Sequence, residues 1–196
     1  MIEAGLTYIK TELQSYLTSK IGADGVVSLN NIALYDLNSP DNDLVNKVIM
    51  SLVNIEEEST LKNNAFKKRN PLSNSIDYVE PPVHINLYIL FTSTPAEMGS
   101  TYERSLIRLS HVIQFFQHIR KFETTVDIDG EEHKIQLIFE LYTLTFEQIN
   151  HLWGSLGGKQ IPFAMYKARL LKIQELVSQP AALIEEIENN VGHKNY

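Results

Sequence analysis

"FEQINHLWGSLGGKQIPFAMYKARLL", residues 146–171, decides how the chain is read, because it admits two incompatible meanings. It holds the only Trp and three of the nine Gly, with a lysine directly after the last of them. A glycine-rich loop ending in lysine cradles phosphate, but a Gly-Gly pair between a helix and a strand is also a common way to reverse the chain. A phosphate loop needs G-x-x-x-x-G-K-[ST] directly after a strand, so that its amides and the following helix dipole face the anion. Here only three residues separate Gly154 from Gly158, Gln160 stands where Ser or Thr is required, and the segment follows a helical pattern. All three requirements fail, so the stretch is a turn. Gly154 is expected as a left-handed helix C-cap. Gly157-Gly158 doubles the chain back, and Pro162 stiffens entry to a final strand around 166–173. Upstream, Thr145-x-x-Gln148 is a capping box that opens the short helix.

Working outward, Ile2, Leu6, Ile9, Leu13 and Tyr16 recur at helical spacing, and Gly22 marks the stop. A strand is expected over 26–34 and a loop over 35–43. KVIMSLVNI (47–55) is apolar on both faces, as in a central strand. In VHINLYILF (83–91), Val83, Ile85, Leu87, Ile89 and Phe91 share one face. Ser100-x-x-Glu103 is a second capping box, before a helix over 102–122. That helix carries two apolar stripes. Tyr102, Leu106, Leu109, Ile113 and Phe116 form one; Val112, Phe115, Ile119 and Phe122 form the other. A sheet covers one stripe, so the second is expected against another helix or another subunit. Residues 124–141 read as a hairpin turning at Asp129-Gly130. Pro180 suits the first turn of a last helix, with Leu183, Ile184, Ile187 and Val191 on one face. The order predicts an α+β domain, with a mainly antiparallel or mixed sheet and helices packed on one face. Residues 1–175 form that domain, and 176–196 are a short helical extension of it.

Residues 56–82 are polar, contain three of the seven Pro and show no period. So long a connection is functional or waits for a partner. Lys62, Lys67, Lys68 and Arg69 make it a candidate partner-contacting loop.

Composition excludes more than it proposes. The 196 residues, 43% of them apolar, suffice for one core. With 17 Lys+Arg against 24 Asp+Glu, the net charge of −7 gives no basic footprint for nucleic acid. No Cys is present, which removes disulfides, thiolate catalysis and Cys-based metal sites. The start lacks the basic, continuously apolar pattern of a secretion signal, and no stretch approaches 18 uninterrupted apolar residues. The expectation is a protein made in the bacterial cytoplasm, with no membrane insertion of its own.

The chemistry-bearing residues stay unassembled. His111 and His118 are seven apart and His151 is elsewhere, whereas zinc helices place ligands three or four apart beside an acid. DIDGEEH (127–133) resembles a calcium loop but lacks its repeated acids. Glu56, Glu57 and Glu58 mark emergence into solvent, since neighbouring strand residues point to opposite faces. No Ser has the setting of a nucleophile elbow. No catalytic, cofactor-binding or metal residue is expected. A small metal-dependent hydrolase using His111, His118 and Glu56–Glu58 is the alternative.

MIEAGLTYIKTELQSYL, VIMSLVNIEEESTLKN, PPVHINLYILFTST, YERSLIRLSHVIQFFQ and the opening stretch together resemble the cap, or tail-terminator, proteins of contractile injection systems of the antifeeding-prophage and virulence-cassette type. The resemblance covers residues 1–175 with the blocks in order. It implies a structural protein without cofactor. Six copies would form a ring on the last layer of inner tube and contractile sheath, ending polymerisation and joining the two. It also implies that an edge strand could accept one of the extended arms that sheath subunits exchange, without saying which strand. Val112, Phe115, Ile119 and Phe122 are the candidate subunit interface.

Overall fold

The elements follow one another as α1 (Ile2–Ile21), β1 (Val27–Leu29), a 3-10 turn (Ile32–Leu34), β2 (Val48–Glu57), β3 (Lys67–Arg69), β4 (Ile76–Val79), β5 (Val83–Ser93), α2 (Tyr102–His118), β6 (Lys121–Ile128), β7 (Glu131–Leu141), α3 (Phe146–Ser155), β8 (Phe163–Ile173) and β9 (Ser178–Pro180). The computed structural model describes residues 1–22, 26–35, 44–58, 67–69, 76–79, 83–95, 102–128, 130–158, 160–173 and 178–180, with backbone alone at 67–69, 76–79, 83, 128, 131, 171–173 and 178–180. Two units result: Met1–Ser59 with Val83–Ile173, and Thr60–Pro82 with Gln174–Tyr196.

The first unit is built on a six-stranded sheet of order β1-β2-β5-β8-β7-β6, antiparallel throughout except for the parallel pair β1 and β2. The α+β fold with a mixed sheet follows the sequence pattern. β2 and β5 are central because their alternate residues are apolar on both sides. One face of the sheet carries Met50, Leu87, Ile89, Phe91, Leu137 and Phe139, and α1 and α2 cover it with Leu6, Ile9, Leu13, Val112, Phe115 and Phe116. Burying aromatic side chains of this size contributes about 1.5–3 kcal/mol each. α1 lies close to the strands because Gly5 has no side chain: a Cβ there would be 3.2 Å from Leu137 Cδ1. The Gln14 side chain holds the helix to β1 by accepting from the Val27 amide at 2.5 Å.

The expectation of helices on one face needs correction. Ile49, Tyr88, Leu90 and Met165 point to the opposite face, where Trp153 of α3 and Ile32 of the 3-10 turn cover them. A strand apolar on both sides needs two covers, and the short helix supplies the second. The strand expected over 26–34 is only Val27–Leu29, after which Asn31 caps the 3-10 turn by accepting from the Ala33 amide. The Thr145–Gln148 capping box is present in both its hydrogen bonds. Gly154, expected as a C-cap, instead lies inside α3, and the positive φ angles fall at Gly157 (102°) and Gly158 (79°). The hairpin joins β6 to β7 around Gly130, φ 86°, whose amide donates to Asp127 at 2.9 Å. Ser100, Asp129 and most of 35–43 lie outside the described residues.

The second unit holds a three-stranded antiparallel sheet of order β3-β4-β9. The stretch 56–82, read as one polar loop, therefore contains two strands, Lys67–Arg69 paired with Ile76–Val79. Pro180, expected in a helix, pairs with Asp77 at the end of β9; the helical positions after it lie outside the described residues. Composition shows polarity but not cross-strand pairing, which here is made with a segment about 100 residues away in sequence.

Candidate functional site

The residues singled out for a subunit interface divide. Val112, Phe115 and Phe122 belong to the core of their own chain, with Phe115 only 3% exposed, and Ile119 alone of the four reaches the surface. The physical reason is α1. Phe115 meets Tyr16 at 5.2 Å between ring centroids and stacks on Phe122 at 5.6 Å. α2 ends at His118 and not at the expected 122, so Ile119 lies past the helix and Phe122 on β6, and α1, "another helix", covers Val112 and Phe115. What α2 turns outward is Tyr102, Leu106, Ile107 and Ile113. Leu106 and Ile113 line one hollow of about 540 Å³ with Pro162 and Phe163. Ile113 also lines a second, of about 290 Å³, with Gln117, Arg120 and Leu141.

α2 is anchored by a buried cation that the sequence reading missed. Arg108 is 1% exposed, donating to the Thr94 carbonyl at 3.1 Å and to the Asn46 side chain. Thr94 in turn donates to the Leu44 carbonyl at 2.5 Å and accepts from the Lys47 amide at 3.0 Å. The signal was present: Ser105 and Arg108 stand seven and four residues before Val112, on its buried stripe.

The sheet has two edges. β1 is three residues long and the Val27 amide on its outer side is taken by Gln14. β6 is eight residues long. The Phe139 amide donates to the Arg120 carbonyl at 2.8 Å, which fixes the phase of the β6–β7 ladder. Residues alternate in an antiparallel pair, so Phe122, Thr124 and Val126 bond to β7 while Lys121, Glu123, Thr125 and Asp127 aim their backbone N–H and C=O groups outward. Lys121 pairs with Glu123 at 2.7 Å and Gln136 donates to Glu123 at 2.5 Å. These two bonds hold the Glu123 carboxyl below its usual range, through the lysine first and the amide second. Among the described residues, β6 is thus a polar edge with no strand on its outer side.

The acidic run is also divided. Glu56 accepts from the Tyr88 hydroxyl at 2.8 Å, and Glu58 accepts from Asn86 at 3.0 Å with Lys167 at 3.8 Å. Burial first, and the bond to Glu56 second, push the Tyr88 phenol up to about 12. These carboxylates tie strands on the face opposite α2. His111 meets Gln114 at 3.1 Å, and His151 lies exposed beside Glu147 at 3.8 Å. Among the described residues, no three His, Cys, Asp or Glu are placed to hold a metal. The pieces of the hydrolase alternative are not brought together. Lys62 lies outside the described residues; Lys67, Lys68 and Arg69 form β3. No helix of the described residues is long and apolar enough to cross a membrane.

Two solved structures share the fold. The PVC sheath/tube terminator of an extracellular contractile injection system, in its extended state, matches with a TM-score of 0.62 and 14% identity, over 100% of this chain and 65% of that one. The anti-feeding prophage cap, a tube-terminating cap, matches with a TM-score of 0.58 and 12% identity, over 97% of this chain and 61% of that one. This chain therefore spans somewhat less than two thirds of the length of either. Curated protein sequences give no significant match. The family model of the Pvc16 N-terminal domain matches residues 6–186, and with nearly the whole chain inside that match, the protein belongs to the Pvc16 N-terminal domain family.

Proposed function

We propose that this protein is a structural cap of a phage-tail-like contractile particle, without enzymatic activity. Six copies form a ring that ends the inner tube and the contractile sheath and joins them. The observation that carries the reading is the open edge of β6, on a fold shared with a sheath/tube terminator. An eight-residue edge in regular register can take up an extended segment, main chain to main chain. In this reading the segment is an arm of the last sheath layer. Its apolar side chains would continue the core beside Val126, and its polar ones would face Lys121, Glu123 and Asp127. The segment carrying Lys62, Lys67, Lys68 and Arg69 contacts the terminal layer or a neighbouring cap subunit.

Particles purified from cells carrying a tagged copy test this. Gold label is expected at one end only, with tube and sheath proteins retained together there. Label along the shaft, or none in purified particles, would exclude a cap.

A further inference from the structure

We infer that the cap subunits join head to tail, Phe146 of one copy entering the hollow that Ile113, Gln117, Arg120 and Leu141 line on the next. The inference rests on the ring reading above and says which surfaces close the ring. Phe146 is the most exposed large apolar side chain described, at 87%. It is not a loose residue. It occupies the first position of α3, where Thr145 accepts from the Gln148 amide and Gln148 accepts from the Thr145 amide. A reciprocally capped helix start holds its backbone in one place, so the ring projects as a knob from a fixed point.

The hollow has the converse character. Phe116, Phe139 and Tyr166 form its floor, Leu141 (58% exposed) its wall, and Arg120 its rim. About 290 Å³ is room for an aromatic side chain. Phe146 does not line it, so the knob does not fill the hollow of its own chain. Charge agrees with the match: the residue following the knob is Glu147, its side chain 85% exposed, and of the two charged residues lining the hollow Glu140 is paired with Arg169 at 3.6 Å, with the Arg120 cation beside it. The two patches also belong to helices on opposite faces of the sheet, α3 on one and α2 on the other. Different patches facing different ways make a heterologous contact, the kind that builds a ring when the rotation between copies closes, whereas a two-fold dimer needs one patch meeting itself.

The chain has no cysteine, which makes the test clean. Particles would be assembled with Phe146→Cys, with Gln117→Cys, or with both in one chain, then oxidised and run without reductant. The double variant is expected to give a ladder of linked copies ending at the ring, and each single variant no link. Co-assembly of the two single variants is expected to give the mixed dimer. A double variant that stays monomeric while present in normally capped particles would overturn this contact and leave the cap reading standing. Single variants that cross-link to themselves would also overturn it, in favour of a two-fold contact. If the protein is missing from purified particles altogether, both fall, and an immunoblot before oxidation identifies that case.

Discussion

The Tyr16 ring of α1 lies 5.2 Å from the Phe115 ring of α2, centroid to centroid, and closes the core over the sheet. Phe115→Glu would place a carboxylate there and remove the ring's contacts with Phe116 and Phe122. A loss of about 4 kcal/mol is expected, a large part of the stability of a typical domain. Ile113→Glu, on the outer side of the same helix, is expected to cost within about 0.5 kcal/mol. Urea titration of the two purified variants separates them. Equal stabilities would mean that the inner and outer faces of α2 are misassigned.

The glycines after α3 differ in what they tolerate. Gly158 sits at φ 79° with open space around it, so only its backbone resists a side chain. Gly158→Val is expected to cost about 1–3 kcal/mol. Gly154 is helical, also with open space, and Gly154→Ala is expected to gain about 0.5–1 kcal/mol. Thermal melts of both variants check the opposite signs.

Alkali should find Tyr88. Its folded-state pKa of about 12 lies above the ordinary 10.0, so the stabilisation linked to it is complete below pH 10 and disappears as pH rises toward 12. Tyr166, raised to about 12 by burial, titrates in the same window. Tyr88→Phe should therefore flatten, without abolishing, the fall of the denaturation midpoint with pH. An unchanged slope would place the Tyr88 hydroxyl in water.

The β6 edge can be probed with proline, which removes one backbone donor. The Thr125 amide faces outward, so Thr125→Pro should leave the fold intact and weaken retention of the cap on particles. The Thr124 amide belongs to the β7 ladder, so Thr124→Pro should destabilise the domain itself, by about 3 kcal/mol. Circular dichroism with particle sedimentation reads both. Full cap occupancy with Thr125→Pro would remove β6 as the docking edge.

Much of this fold was legible in the sequence because single-face periodicity needs no partner to be read. The stripe of Leu6, Ile9 and Leu13, the alternation of Ile85 to Phe91 and the Thr145 capping box all appear where their spacing puts them. The choice between the two stripes of α2 was not legible. Both are apolar, and the core takes part of each, Leu109 and Phe116 from one and Val112 and Phe115 from the other, because α1 and the sheet meet α2 on adjoining sides. Edge strands depend on strand order, which local pattern does not encode, so β6 emerges only from the structure. Gly154 failed as a C-cap because two further glycines follow, and the helix ran on until the chain needed positive φ at Gly157. Arg108 escaped because its type suggests solvent while its position suggests core.

The central claim is that this chain ends the particle, and particle length measures it most directly. Electron micrographs of particles made with and without the gene, the rest of the cluster unchanged, give the two length distributions. The cap account predicts a narrow distribution with closed ends when the protein is present. Without it, particles should vary widely in length, with tube and sheath separating at the open end. Particles of the same narrow length, with tube and sheath still joined in the absence of the protein, would contradict it.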